Sequence, residues 1–178
     1  MMSEGPARRA AVLITGTVGA GKTTTAEALG DRLGEAGVPH AVIDMDWLCR
    51  SWPAPVHDPF NSALGVENLR AVGRNFFRAG AERVVIAGVI ESEDERSRYE
   101  QALGCPLVVC RLQVDLERVR ARLLRRHEPG RERDWHLHRS GELDVILRTA
   151  RIGDHVIDVT DQAPEHVADG IASAVGWW

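Results

Sequence analysis

The chain has 178 residues, 44% hydrophobic and 27% charged, with a formal net charge of −4 at pH 7. That balance fits one globular domain with a sizeable core and excludes a disordered chain, while the acidic excess argues against a dedicated nucleic-acid binder. No apolar stretch approaches the ~20 residues that span a bilayer, and Met1 to Arg9 lacks the apolar core of a secretory leader, so no membrane partner and a cytoplasmic location are expected.

Strand-like and helix-like segments alternate in chain order. Ala10 to Ile14 is a short apolar run suited to a strand buried on both faces. It leads at once into Gly16-Thr17-Val18-Gly19-Ala20-Gly21-Lys22-Thr23, which fits G-x-x-x-x-G-K-[ST] at every fixed position. A helix follows from Lys22 to about Leu33, with Ala26, Leu29 and Leu33 on one side. Lys22 is the single lysine of the chain; the other 21 basic residues are arginine. A phosphate loop needs a compact ammonium on a flexible stem, where a planar guanidinium clashes. In this motif the loop amides and the helix N-terminus wrap phosphate, Lys22 reaches the β- and γ-phosphates, and Thr23 ligates Mg²⁺; Thr24 belongs to the same nucleotide-binding stretch.

Gly37 and Pro39 break the chain, and His40 to Asp44 reads as a second strand. It ends in Asp44-Met45-Asp46-Trp47. If the segment stays extended, Asp44 and Asp46 face one side. One carboxylate then holds the metal, directly or through water, and the other accepts a proton from an attacking hydroxyl; the bland alternative is a helix cap plus a solvated acid. An acceptor-side segment over about 46–65 carries Trp47, Trp52, Pro53, Pro55 and Phe60, read either as an apolar lip over a substrate or as rings packed on the domain.

Val66, Leu69, Val72, Phe76 and Phe77 mark an amphipathic helix, Arg83 to Ala87 a third strand, and Asp94 to Leu103 another helix. Glu91, after the third strand, is open to three readings: metal contact through water, substrate contact, or helix cap. Arg96 either meets a substrate anion or pairs with Glu93. Leu107 to Leu112 is a fourth strand, and Leu116, Val119 and Leu123 set the inner face of the next helix. A charged lid loop is expected over about 127–139, with helix resuming near Gly141. Eight arginines lie from Arg118 to Arg139. Those at the helix end, Arg122 and Arg126 above all, are candidates to close over a triphosphate and stabilise the transferred phosphoryl group, whereas Arg118 has Glu117 and Asp115 as nearby partners. His155 to Val159 is a last strand, and Pro164 opens a closing helix. The three cysteines, with no C-x-x-C spacing, indicate neither a disulfide framework nor a cysteine zinc site. One α/β/α domain of three layers over 1–178 is expected, with a mainly parallel sheet and ligands at the carboxyl ends of its strands.

These residues resemble the small P-loop kinases that phosphorylate metabolites or antibiotics, such as shikimate kinase, gluconate kinase, adenylylsulfate kinase and chloramphenicol phosphotransferase. Gly16 to Thr23 matches their Walker A loop. Asp44 and Asp46 match the acidic D-x-D, Arg122 to Arg126 the start of the arginine-bearing lid, and Asp158 to Asp161, including Thr160, the loop beside adenine. The resemblance implies the P-loop NTPase fold with five strands in the order 2-3-1-4-5, ATP as donor and a small-molecule acceptor. The Glu91 segment and the lid ending Trp135 to Ser140 depart from the named members, which leaves the acceptor open; a monomer or homodimer is expected. A switch or ATPase acting on a partner, or an ATP-binding regulator, is the rival reading. It meets two objections: N-K-x-D is absent, and AAA-type ATPases and motors normally need more chain than this.

Overall fold

The computed structural model describes residues 9–178, so the leader reading of Met1 to Arg9 lies, Arg9 apart, outside the described residues. Five strands, β1 (Ala10–Gly16), β2 (His40–Asp44), β3 (Arg83–Ala87), β4 (Leu107–Gln113) and β5 (His155–Asp158), form one sheet. Its order is β2-β3-β1-β4-β5 and every pairing is parallel, in register from Ala10↔Arg83 to Gln113↔Asp158. This is the order the resemblance implied. Parallel strands put all five carboxyl ends on one edge, where Gly16, Asp44, Ala87, Gln113 and Asp158 end their strands.

The strands are apolar on both faces because both faces are covered. Val12, Ile14, Val85, Ala87, Cys110 and Leu112 point into one core with Leu29 and Leu33 of α1 (Lys22–Glu35), Val119 and Leu123 of α5 (Leu116–Arg126), and Val167 and Ile171 of α7 (Pro164–Ala174). Their sequence neighbours Ala11, Leu13, Val84, Ile86, Leu107 and Val109 point into the other. That core is closed by Leu69 and Phe77 of α3 (Ser62–Arg78), Tyr99 and Leu103 of α4 (Glu93–Leu103), and Leu143 and Leu147 of α6 (Arg131–Thr149). The two-residue period of the strands thus sorts one sequence into two cores.

Two expectations fail. The lid loop over 127–139 is short: it spans only 127–130, and α6 begins at Arg131 rather than near Gly141. After Pro129 and Gly130 no proline breaks the helix, and Ser140, Leu143, Asp144 and Leu147 give its later turns one face to bury; Leu143 and Leu147 are almost fully enclosed. The D-x-D is likewise not extended. Asp44 is the N-cap of α2 (Met45–Leu48), its Oδ1 accepting from the Asp46 N–H at 2.9 Å, and Asp46 lies in the first turn. An N-cap aspartate satisfies a helix donor that a continuing strand would leave unpaired once β2 runs out of partner.

Candidate functional site

The turn after β1 needs glycine. At Gly16 (φ 154°) a Cβ would meet the Leu112 carbonyl oxygen at 2.9 Å, and at Gly19 (φ 80°) it would press on Val119 at 3.2 Å. The loop therefore lies tight against β4 and α5. Ala20 is buried and half-buried Val18 packs against both cores, which anchors the loop backbone without side chains in the cradle. Lys22 curls back into the loop, its Nζ donating to the Gly16 and Thr17 carbonyls at 3.1 Å each. Burial pushes its pKa below the ordinary lysine value; the carboxylates of Asp46 and, less strongly, Asp44 push it back up. Both carboxylates thus act on the charge of the loop lysine, from a capped helix turn and not from an extended strand.

Thr23 Oγ1 donates to Asp44 Oδ2 at 2.7 Å. A hydroxyl and a carboxylate so placed beside a phosphate loop are the hard oxygen donors that suit Mg²⁺. Asp46 stays exposed, which suits a group that must meet a substrate.

On the other side of the loop a cleft of about 340 Å³ is lined by Gly19, Ala20, Gly21, Thr24 and Thr25. Arg122, Leu123 and Arg126 of α5, and Val159, Gln162, Pro164 and Val167 after β5, complete it. Two guanidinium groups thus share one cleft with the helix N-terminus of α1, a field that favours a polyanion. Thr160 is not among the lining residues; its N–H donates to Asp158 Oδ1 at 2.8 Å, a turn that instead turns Val159 and Gln162 to the cleft. Arg118 pairs with Asp161, not with Glu117 or Asp115; Asp115 caps α5, accepting from the Glu117 and Arg118 N–H groups at 2.8 and 3.2 Å. That pair ties α5 to the loop after β5.

Glu91 forms an ion pair with Arg139 of α6, so the cap reading falls. Ser92 caps α4 instead, accepting from the Glu95 N–H at 3.3 Å, while the Glu95 carboxylate reaches back to the Glu91 N–H at 2.6 Å. The Arg139 guanidinium also lies over the Phe60 ring, 5.4 Å from its centre. Trp47 is 70% and Trp52 91% exposed, which overturns the reading of those rings as packed on the domain. Arg96 is not brought to this site. Its two Nη atoms meet both Asp154 oxygens at 2.9 and 2.8 Å, far closer than Glu93 at 3.9 Å, and one of them also donates to the Leu107 carbonyl at 3.1 Å. It latches α4 to the start of β4 and β5, with Asp154 and not Glu93 as its main partner.

Two residues escaped the sequence reading. Ser140 accepts, through its carbonyl, the hydroxyl of buried Thr17, joining the phosphate loop to α6. Buried Asn61, in the left-handed region at φ 52°, donates through Nδ2 to the Cys49 and Ser51 carbonyls at 2.9 Å each and so fixes the acceptor-side segment. An asparagine just before a long amphipathic helix was the one available signal for it.

No helix among the described residues is long and apolar enough to cross a membrane. An adenylyl-sulfate kinase of Paraburkholderia xenovorans (strain LB400) is 38% identical over 117 residues, 58% of this chain, and the chain spans 63% of that relative's length. The tunicamycin resistance protein of Deinococcus radiodurans superposes with a TM-score of 0.67 at 23% identity, covering 95% of this chain and 96% of that one. The Mycobacterium tuberculosis APS kinase, solved with AMPPNP and APS, gives 0.57 at 17% identity over 96% and 99%. A Sinorhizobium meliloti 1021 gluconokinase gives 0.58 at 17% identity over 96% and 98%. At these identities the likeness of the solved structures is one of fold. The family model described as AAA domain matches residues 12–145, more than half of the chain, and the chain therefore belongs to that P-loop family, in the fold of the small-molecule kinases.

Proposed function

We propose that the protein is an ATP-dependent phosphotransferase that moves the γ-phosphoryl group to a hydroxyl of a small molecule. One observation carries the reading: Asp44 is bonded to Thr23 of the phosphate loop, and Asp46, two residues on in the helix turn that Asp44 caps, is left exposed. Asp46 also suits the first turn of α2, as an acid at a helix N-terminus; its place two residues from the Thr23–Asp44 bond is what makes it the candidate base. The adenylyl-sulfate kinase likeness supports the same chemistry.

In this reading Gly16 to Thr24 cradles the β- and γ-phosphates, and the cleft beyond Gly19 takes the nucleoside beside Val159 and Gln162. Thr23 and Asp44 would hold Mg²⁺, which screens charge on the phosphate oxygens when bound. Asp46 takes the proton of the acceptor hydroxyl as its oxygen forms the new bond to phosphorus and the bond from the γ-phosphorus to the bridging oxygen breaks, releasing ADP. Lys22, with Arg122 or Arg126, meets the charge that develops on the transferred group. Trp47, Trp52 and Phe60 form an apolar lip on the acceptor side, and Glu91 with Arg139 bounds it. The site's place is the cytoplasm, where ATP is available.

The test is ATP consumption by the purified protein across sugars, nucleosides, shikimate-like acids, adenylyl sulfate, tunicamycin, and aminoglycoside and phenicol antibiotics. Stimulation by one class, lost by about 10²–10⁴-fold in kcat on Asp46→Asn with ATP affinity retained, is the expected result. Slow hydrolysis indifferent to every acceptor would favour the switch or regulator reading, and normal turnover by Asp46→Asn would remove its role as base.

A further inference from the structure

The described residues gather one set of metal-ligating side chains outside the phosphate loop. His127 follows the last residue of α5, and Glu132 and His136 stand four residues apart on α6, hence on the same face one turn apart. Glu132 Oε1 lies 3.6 Å from His127 Nδ1 and 3.8 Å from His136 Nε2, and the three ligand atoms fall within 4.8 Å of one another. Two donors bound to one tetrahedral ion at about 2.1 Å sit roughly 3.4 Å apart. Glu132 is therefore within a few tenths of an ångström of that spacing from both rings.

The cluster is poorly explained without a ligand. The contacts of 3.6 and 3.8 Å are too long for hydrogen bonds, so Glu132 faces two ring nitrogens without bonding either. The His127 and His136 side chains are only 17% and 23% exposed, whereas Glu132 is 77% exposed and leaves the cluster a face to solvent. No side chain caps α6 at Gly130, so the elbow between α5 and α6 lacks another polar staple there.

We infer that His127, Glu132 and His136 form a three-ligand site for a divalent transition-metal ion, of the zinc, cobalt or nickel class, with its fourth position open to water. Two imidazoles with one carboxylate are the donor set of those ions and not of Mg²⁺ or Ca²⁺, which take oxygen. The rings now stack at 4.3 Å between centres, 24° from parallel. The ion draws them out of that stack, each turning about its Cβ–Cγ bond until a ring nitrogen lone pair points at the metal. Bound there, it clamps the end of α5 to the first two turns of α6. Arg126, at the nucleotide cleft, directly precedes one ligand, and Arg139, the partner of Glu91, follows another by three residues. The site thus fixes the elbow between the two arginines and is separate from the Thr23–Asp44 pair.

The full chain, stripped with chelator, would be titrated with Co²⁺ and followed by its visible d–d absorption, then competed with Zn²⁺. One equivalent should bind without a near-ultraviolet thiolate band, and Zn²⁺ should raise Tm. Each of Glu132→Gln and His136→Ala should weaken Co²⁺ binding by more than about tenfold, the low end of what even an outer-sphere partner is worth. Glu132→Gln is an exposed, nearly isosteric change, so it decides the matter even where His136→Ala folds poorly. Binding that is absent at one equivalent, equal in the Glu132→Gln variant, or marked by a thiolate band overturns the site. The readout is spectral, so it stands whichever way the phosphotransferase assay falls.

Discussion

Replacing Asn61 should loosen the acceptor side while sparing the nucleotide side. Asn61 is 6% exposed, holds the Cys49 and Ser51 carbonyls at 2.9 Å each, and sits at φ 52°. Two hydrogen bonds from one neutral amide are worth about 1 kcal/mol apiece net. Alanine adds about 1 kcal/mol because its Cβ is unwelcome in the left-handed region that asparagine tolerates. Asn61→Ala therefore costs about 3 kcal/mol and Asn61→Gly, which relieves φ but loses both bonds, about 2 kcal/mol. In a chain of this size that is a fall in Tm of about 6–12 °C for Ala and about 4–8 °C for Gly. None of the residues lining the nucleotide cleft belongs to the segment Asn61 holds. ATP affinity by calorimetry should therefore be unchanged, while KM for the acceptor rises and limited proteolysis opens the chain between Trp52 and Phe60. If both variants melt within 1 °C of the parent, the two bonds do not hold the segment. If Ala and Gly fall equally, the backbone argument is wrong.

Lys22→Arg should lose MgATP affinity by about a hundredfold, because a planar fork does not fit the loop; because Lys22 is the single lysine, amine acylation read by mass spectrometry should mark one ε-amine and MgATP should shield it. Arg122→Ala and Arg126→Ala should separate in steady-state kinetics: the one that meets the transferred group loses about 10²–10³-fold in kcat, the other raises KM for ATP, and no change in either would remove α5 from the site. Asp154→Ala orphans Arg96 and the Val109 N–H, which donates to Asp154 at 2.8 Å. For this partly exposed pair a loss of about 2–3 kcal/mol is expected by thermal melting, with ATP turnover per folded molecule unchanged; a selective loss of turnover would return Arg96 to the site.

The parts that were legible in the sequence are those that one local rule decides. Val12, Leu13 and Ile14 need no context to read as a doubly covered strand, and the phosphate loop is a spacing rule in itself. Pro164 at the first turn of α7 is another such rule. What could not be read depends on partners far away in sequence. The stretch from Arg131 to Arg139 is polar and looks like a loop because its stripe, Leu143 and Leu147, comes only in later turns and is buried by the sheet. Asp44 looks like a strand residue because it is one, and also the cap of a four-residue helix that propensity alone would never support. Glu91 and Arg96 each carry a charge whose partner, Arg139 or Asp154, is 48 or 58 residues away.

The misread helix is also the one that joins the site. Ser140 accepts from Thr17 in the phosphate loop, Arg139 next to it holds Glu91 beyond β3, and one turn earlier His136 faces the elbow that follows Arg126. Leu143 and Leu147 fix the far half of the same helix in the core. A rigid rod held at one end and bonded at the other cannot shift at the elbow without disturbing the Thr17 and Glu91 contacts together. In the proposed phosphotransferase α6 is the element that touches both sides, so Thr17→Val, which removes the hydroxyl bonded to the Ser140 carbonyl, and Arg139→Ala should each alter the apparent affinity for both substrates, where a change at Asn61 alters only one.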